Sequence, residues 1–148
     1  MQSKGFSTSF AVDQSPKEVF EAVNNVRGWW SENLDGNTDE LGATFKFQYK
    51  DIHRSTQKIT ELVSDKKVVW HVIDSRLNFV EDKAEWRGTD IVFEISKKNG
   101  KTELQFTHVG IVPEIECYDK CSRGWSIYVG ESLRSLITTG KGSPAPSE

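Results

Sequence analysis

The sequence predicts an α+β domain in which a curved antiparallel sheet is wrapped around one long C-terminal helix. Two patterns predict this class. Apolar residues recur at helical spacing from residue 115 to 139, and almost everything between residues 43 and 109 has the pattern of strands, several of which alternate apolar with polar residues. Alternation of this kind is typical of a sheet covered on one face, so we expect the helix to cover that face. The expected order is one strand, one or two short helices, about six strands and the long helix.

The N-terminal part is expected to form a strand and then a short helix. Between Phe6 and Val12, larger residues alternate with small ones, which predicts a strand with two different faces. Ser15 and Pro16 then supply an N-cap and a proline at the first helical position. The helix is expected to end near Asn24.

A glycine and two adjacent tryptophans follow this helix. Neighbouring residues cannot both point inward from one helical face, so we expect only one of Trp29 and Trp30 to cap the core. The polar, glycine-containing run from residue 32 to 42 predicts a loop.

Six strands are expected after the loop. In the first of them, Phe45, Phe47 and Tyr49 share one face, as a strand period of two requires. Asn99 and Gly100 are a strong signal for a tight hairpin turn between the last two strands. The expected strands cover residues 44–50, 53–63, 68–73, 77–80, 89–96 and 102–109.

The long helix is amphipathic. One side is expected to carry Tyr118, Cys121, Trp125, Val129, Ser132 and Leu136, and the opposite side Lys120, Arg123, Glu131 and Arg134. Bulky Tyr118 and Trp125 lie beside small Cys121 and Ser132, so this face need not fill the space against a curved sheet. An interior cavity is one expectation, and a solid core is the other.

Composition excludes several classes of partner. The chain has 19 basic and 22 acidic residues, a formal net charge of -3, and no basic patch that would indicate nucleic acid binding. It lacks a charged and apolar leader and any run approaching the ~20 apolar residues that span a bilayer. Its only cysteines, Cys117 and Cys121, are too few for a disulfide framework. We therefore expect a soluble, cytoplasmic protein with free thiols and no membrane insertion.

The length of 148 residues fits one domain. We expect this domain to occupy residues 1–139. Residues 140–148 are rich in Gly, Pro and Ser and are expected to form a disordered tail.

The candidate ligand-binding residues are mostly aromatic. They are placed on the expected inner faces of the strands and of the long helix, and an apolar lining with a few polar groups is typical of small-molecule sites. His108 and the tyrosines would supply the polar groups. The expected cavity lining is Phe45, Phe47, Trp70, Phe93, Phe106, His108, Tyr118, Cys121, Trp125 and Tyr128.

No pattern in the sequence demands catalysis or a cofactor. The chain lacks a Gly-x-Ser-x-Gly elbow and a glycine-rich phosphate loop. Asp90 and Glu94 alternate with apolar residues and are expected to face solvent. Cys117 and Cys121 are spaced loosely for zinc, but a closed site needs four ligands. We expect no catalytic residues, no metal site and no cofactor.

A set of residues along most of the chain resembles a known superfamily. The residues are Ser15-Pro16, Val19-Phe20, Gly28-Trp29-Trp30, Gly42, Trp70, the run from Trp86 to Ile95, Thr102, Leu104, Phe106-Thr107-His108, Gly124-Trp125 and Leu133. Their order and spacing resemble the START-like SRPBCC superfamily, which has the helix-grip fold of the birch pollen allergen. Within it, the chain resembles the family named after the activator of heat-shock-protein-90 ATPase.

The resemblance implies a sheet of seven antiparallel strands, in the order β-α-α-β6-α, wrapped around the C-terminal helix. It also implies an interior cavity for a hydrophobic or lipid-like ligand. Members of the superfamily include lipid carriers, polyketide cyclases and co-chaperone domains, so the fold does not settle the activity.

Three functions remain open at this point. The first is a carrier or sensor of a small hydrophobic ligand. The second is a cavity enzyme of the cyclase or hydratase type that uses His108 and the tyrosines. The third is an interaction domain for a chaperone or another protein, with an exposed apolar patch around Trp29 or Ile127.

Overall fold

A computed structural model describes residues 5–31, 34–49, 53–77, 86–111 and 118–143. The strands are β1 (Gly5–Val12), β2 (Leu34–Gly36), β3 (Thr44–Tyr49), β4 (His53–Val63), β5 (Lys67–Leu77), β6 (Asp90–Lys98) and β7 (Lys101–Val109). The helices are α1 (Pro16–Asn24), a 3₁₀ turn (Val26–Gly28), α2 (Tyr118–Ile127), a π-helical turn (Tyr128–Leu133) and α3 (Arg134–Thr139). We call the continuous run from α2 to α3 the C-terminal helix.

The strands form one seven-stranded sheet in the order β1-β7-β6-β5-β4-β3-β2. Every neighbouring pair is antiparallel. The α+β fold with a curved antiparallel sheet and a C-terminal helix is therefore confirmed. The predicted turn at Asn99 and Gly100 is also confirmed, since both residues have positive φ, 54° and 79°, and join β6 to β7.

One face of the sheet carries the core. Rows of paired residues cross this face, and the central row joins Ile59, Trp70, Ile91 and His108 in β4 to β7. All four side chains are fully buried. Alternating residues such as Glu94 point to the other face, which is polar and solvent-exposed. The core therefore lies between the sheet and the helices, as the alternation predicts.

An irregularity in the β4–β5 ladder changes which β5 residues face the core. Thr56 pairs with Asp74, but the next residue, Gln57, pairs with Val72, so the register shifts by one residue on β5. A bulge of this kind reverses the alternation beyond it. Ser75 consequently lies on the same face as Val72 and is buried.

Helix α1 begins as its sequence predicts. The Ser15 side chain accepts a hydrogen bond from the backbone N–H of Glu18 at 3.2 Å, and Pro16 occupies the first turn. Val19 and Val23 are its fully buried apolar residues.

The C-terminal helix contains a π-helical turn that an α-helical spacing does not predict. Cys121, Trp125, Val129 and Ser132 are buried as expected, and the charged side is exposed. From the last residue of the turn onward, however, Leu133 and Ile137 are the buried apolar residues, whereas Leu136 is only partly buried. The wider π turn takes up one extra residue, so the apolar face downstream moves on by one position.

Two predictions about residues 28–42 are wrong. Leu34–Gly36, inside the predicted loop, forms the edge strand β2 and pairs with β3. Trp29 and Trp30 are both buried, at 0 % and 2 % exposure. The chain leaves the 3₁₀ turn at Trp29, so the two rings are not restricted to one helical face and both reach the core.

Several predicted segments extend outside the described residues. These are the part of the expected strand beyond Leu77, the helix start before Tyr118 and the end of the tail. Of the residues expected to form the tail, Lys141 and Ser143 contact the C-terminal helix. Ser135 Oγ donates to Lys141 O at 2.8 Å, and Ser143 N donates to Ser132 Oγ at 2.7 Å.

Candidate functional site

The interior beneath the C-terminal helix is an aromatic cluster. Trp30 lies at its centre, stacked on Phe47 with ring centroids 4.2 Å apart and tilted against Trp125 at 5.0 Å. Trp70 makes an edge contact with Phe93 at 4.8 Å. The cluster comprises Trp29, Trp30, Phe45, Phe47, Trp70, Trp86, Phe93, Phe106 and Trp125.

The sheet and the helix meet at His108, which is fully buried. Its Nδ1 accepts a hydrogen bond from the indole N–H of Trp125 at 2.9 Å, and its Nε2 lies 2.8 Å from Thr89 Oγ1. An indole nitrogen can only donate, so Nδ1 carries no proton and Nε2–H is the donor to Thr89. The Thr89 hydroxyl in turn donates a hydrogen bond to the carbonyl of Trp86. These bonds hold His108 as a neutral imidazole with a defined tautomer.

Trp86 and Cys121 extend this network. The indole N–H of Trp86 donates to Cys121 Sγ at 3.2 Å, and the Trp86 ring stacks on Trp125 with centroids 5.7 Å apart. The Cys121 thiol is reduced and buried. It therefore acts here as a hydrogen-bond acceptor inside an apolar environment.

The structure brings eight of the ten candidate ligand-binding residues into this interior. The remaining two, Tyr118 and Tyr128, are partly buried and pack against its edge. The eight buried residues are Phe45, Phe47, Trp70, Phe93, Phe106, His108, Cys121 and Trp125.

Sequence reasoning missed two groups of interior residues. The first group completes the aromatic cluster and consists of Trp29, Trp30 and Trp86. The two adjacent tryptophans after Gly28 were the sequence pattern that could have indicated it. Ser55 and Gln57 are the second group, because β4 is rich in polar residues on both faces and has no clear inward side. Only the pairing with Phe45 and Phe47 shows that these residues lie on the core face.

Three polar side chains form a buried recess on the core face of β4 and β5. Ser55, Gln57 and Ser75 are exposed by 1 %, 0 % and 8 % respectively. Gln57 Nε2 donates to Ser55 Oγ. Within the described residues, no hydrogen-bond partner reaches Gln57 Oε1, Ser75 Oγ or the indole N–H of Trp70, whose ring contacts Phe45. We call Ser55, Gln57 and Ser75 the polar recess.

A groove of about 430 Å³ lies elsewhere, at the end of the sheet where β4 turns into β5. Its lining includes Lys66, Lys67, Glu94 and Gln105, and none of the candidate ligand-binding residues. In the described part of the chain, no three or more His, Cys, Asp or Glu side chains are grouped to hold a metal ion. Cys117 lies outside that part.

No helix within the described ranges combines the length and apolar character needed to cross a membrane. Comparison with curated proteins gave no match.

Solved structures with the same fold have low sequence identity to this chain. The Aha1 dimer from Colwellia psychrerythraea is 24% identical, with a TM-score of 0.74 over 93% of this chain and 98% of that one. Protein SSP2350 from Staphylococcus saprophyticus is 18% identical, with a TM-score of 0.68 over 95% and 96%. DynU16, from the dynemicin biosynthetic locus, is 16% identical, with a TM-score of 0.69 over 97% of this chain and 50% of that one. At these identities the likeness shows the fold alone.

A family model gives the closer assignment. The model described as "Activator of Hsp90 ATPase homolog 1-like protein" matches residues 13–138, from the residues before α1 to the last turn of α3. The START-like SRPBCC resemblance is thereby confirmed. Because the match covers most of its length, the chain belongs to the family of activator of Hsp90 ATPase homolog 1-like proteins.

Proposed function

We propose that this protein binds a small hydrophobic or lipid-like ligand between the sheet and the C-terminal helix. The observation that carries the proposal is the π-helical turn Tyr128–Leu133 in the helix that closes the interior. Such turns are rare in proteins and are frequent at functional sites. Here the turn covers the aromatic cluster, with Val129 and Leu133 buried and Ser132 Oγ bonded to the Trp29 carbonyl.

The aromatic cluster supports the same proposal. Its flat, apolar rings offer large contact areas, and burial of apolar surface contributes about 25 cal/mol per Å² to binding. The ten candidate residues remain our proposed lining. Rings that already contact one another must separate to admit a ligand, so we propose that the helix moves at the π turn when the ligand binds.

A pair of variants tests the site. Cys121→Phe places an extra ring beneath the C-terminal helix, whereas Ile127→Phe places the same ring on the exposed side of α2, where Ile127 is 49 % exposed. The neutral fluorophore N-phenyl-1-naphthylamine should bind the wild type and Ile127→Phe equally. Cys121→Phe should bind it at least about tenfold more weakly, because the ring occupies the ligand's space. Equal binding by all three proteins would contradict the proposed location.

The enzyme alternative finds less support in the geometry. A general base needs a nitrogen that can exchange a proton with the substrate. Both ring nitrogens of His108 are already hydrogen-bonded to Trp125 and Thr89, and the side chain is fully buried. Its observed contacts are those of a structural residue.

A protein-interaction function is the second candidate, supported by the family description and by exposed Ile127. The expected exposed patch around Trp29 is wrong, because that ring is fully buried in the aromatic cluster. If this candidate is correct, the protein should raise the ATPase rate of purified Hsp90 and Ile127→Ser should reduce the effect. An unchanged ATPase rate would remove this candidate.

A further inference from the structure

The polar recess lies deep in the core, beside aromatic and aliphatic side chains. Gln57 pairs with Phe45 on one side and Val72 on the other, and Ser55 pairs with Phe47 and Ser75. Side chains paired in this way lie next to each other on the same face of the sheet. The recess therefore borders the aromatic cluster directly.

Hydrogen bonds among the described residues leave the recess partly unsatisfied. The Gln57 amide N–H donates to Ser55, while no donor from the described residues reaches its carbonyl Oε1. Ser75 Oγ likewise has no partner in the described part of the chain. Most buried polar groups in native proteins are paired, so several unpaired atoms on neighbouring strands indicate an absent partner.

The β4–β5 irregularity shows that the fold places these groups inward. Without the register shift after Thr56, strict alternation from Val72 would turn Ser75 toward solvent. The bulge instead points Ser75 into the core beside Ser55. Bulges are frequent next to binding sites because they re-aim a side chain.

The chemistry of the unpaired atoms limits what can bind. Gln57 Oε1 can only accept a hydrogen bond, the Trp70 indole N–H can only donate one, and Ser75 Oγ can do either. Among the described residues, the side chains that pair with the recess on this face are Phe45, Phe47 and Val72, and Arg54 and Arg76 are exposed. A carboxylate or phosphate would therefore be buried without a counter-charge from the described side chains, which is strongly unfavourable. A hydroxyl or an amide, by contrast, is neutral and supplies both a donor and an acceptor.

We propose that the polar recess anchors a neutral hydroxyl or amide group at one end of the apolar ligand, with Gln57 Oε1 as the acceptor. This inference rests on the proposed function. It assigns the ligand to neutral amphiphiles such as phenols and alcohols, and excludes free fatty acids and plain hydrocarbons. It also orients the ligand, with its polar end at β4 and β5 and its apolar body against the rings.

The test compares two probes of similar size, 2-naphthol and 2-methylnaphthalene, by isothermal titration calorimetry. The wild type should bind 2-naphthol about tenfold more tightly, since one satisfied hydrogen bond distinguishes the probes. Gln57→Met keeps the length of the side chain and removes the acceptor, so it should bind both probes equally.

Thr102→Val is the matched control. Thr102 Oγ1 is likewise buried and without a partner among the described residues, but it lies at the far end of β7. This variant should still bind 2-naphthol about tenfold more tightly than 2-methylnaphthalene.

The thermal midpoint of the ligand-free protein provides a second readout. Gln57→Met combined with Ser55→Ala should raise this midpoint, because the double variant removes the unpartnered Oε1 together with both partners of the Gln57–Ser55 hydrogen bond. A lowered midpoint would show that a bound water satisfies Oε1 as part of the structure, and would overturn the anchor.

The outcomes separate this inference from the proposed function. If both probes bind the wild type equally, or Gln57→Met keeps the preference, the anchor is wrong and apolar ligand binding stands. If neither probe binds and an organic extract of fresh protein holds no small molecule, both are wrong. If neither probe binds but the extract holds a small molecule, its functional group decides. A neutral hydroxyl or amide group supports the proposed anchor, and a carboxylic acid or a hydrocarbon overturns the proposed anchor.

Discussion

At the scale of single residues, His108 shows how an inward polar side chain is satisfied in this core. It connects β7 to the C-terminal helix through Trp125 and to the chain before β6 through Thr89. Replacement of one partner in such a network leaves the other groups buried without hydrogen bonds. His108 is therefore expected to contribute to stability more than its size suggests.

His108→Leu should lower the free energy of unfolding by about 2–4 kcal/mol, because it leaves the buried Trp125 N–H without an acceptor and removes one of the two hydrogen bonds of Thr89 Oγ1. Urea denaturation followed by circular dichroism measures this change. His71→Leu is the matched control. His71 Nδ1 lies 2.7 Å from Asp90 Oδ1, but both side chains are well exposed, so the loss should stay below about 1 kcal/mol. A similar loss of unfolding free energy in the two variants would show that the buried hydrogen-bond network does not contribute to stability.

Ser132 makes a second buried connection. Its Oγ donates to the Trp29 carbonyl at 2.7 Å and accepts from Ser143 N at 2.7 Å, so it joins the helix to the tryptophan pair and to the following chain. Ser132→Ala should reduce the free energy of unfolding by about 1–3 kcal/mol. Ser126→Ala, on the exposed side of the same helix, should change it by less than about 0.5 kcal/mol. A Ser132→Ala variant as stable as the control would contradict this assignment.

At the scale of elements, the π-helical turn is the feature that departs most from regular structure. From its last residue onward, Leu133 and Ile137 are buried in place of the residues that an unbroken α-helix would present. Gly130 lies within the turn, and a Cβ atom built there meets nothing within 4 Å. The turn can therefore be altered without a direct clash.

Deletion of Gly130 should convert the π turn to α-helix while Leu133 and Ile137 keep their places, since a π turn accommodates one extra residue. We expect the thermal midpoint to stay the same or to rise, and binding of N-phenyl-1-naphthylamine to fall at least about tenfold. Gly130→Ala is the control. It should leave binding unchanged and add up to about 1 kcal/mol of stability. Full binding after the deletion would mean that the π turn has no part in ligand access.

At the scale of the whole molecule, the sequence predicts the architecture well because the alternation and the amphipathic helix are strong, local signals. Strand bounds such as His53–Val63 agree with the prediction to the residue. Strand β2 was missed because three residues, Leu34–Gly36, carry no pattern of their own and are defined only by pairing with β3.

The candidate site was predicted less completely, for reasons that also depend on pairing. Phe93 and Phe106 are visible from alternation alone. The polar recess is not, because a bulge decides that Ser75 faces inward, and bulges depend on the partner strand. Trp30 lies inward because of the backbone conformation after a 3₁₀ turn, which the rule for helical faces does not cover.

The central claim is that the sheet and the C-terminal helix enclose a small apolar ligand. Native mass spectrometry of freshly purified protein, followed by organic extraction, tests it most directly. The account predicts a species heavier than the bare chain that loses the extra mass on denaturation, with a neutral hydroxyl- or amide-bearing apolar molecule in the extract. A spectrum with the bare chain alone and an empty extract, from protein that also fails to bind N-phenyl-1-naphthylamine, would contradict it.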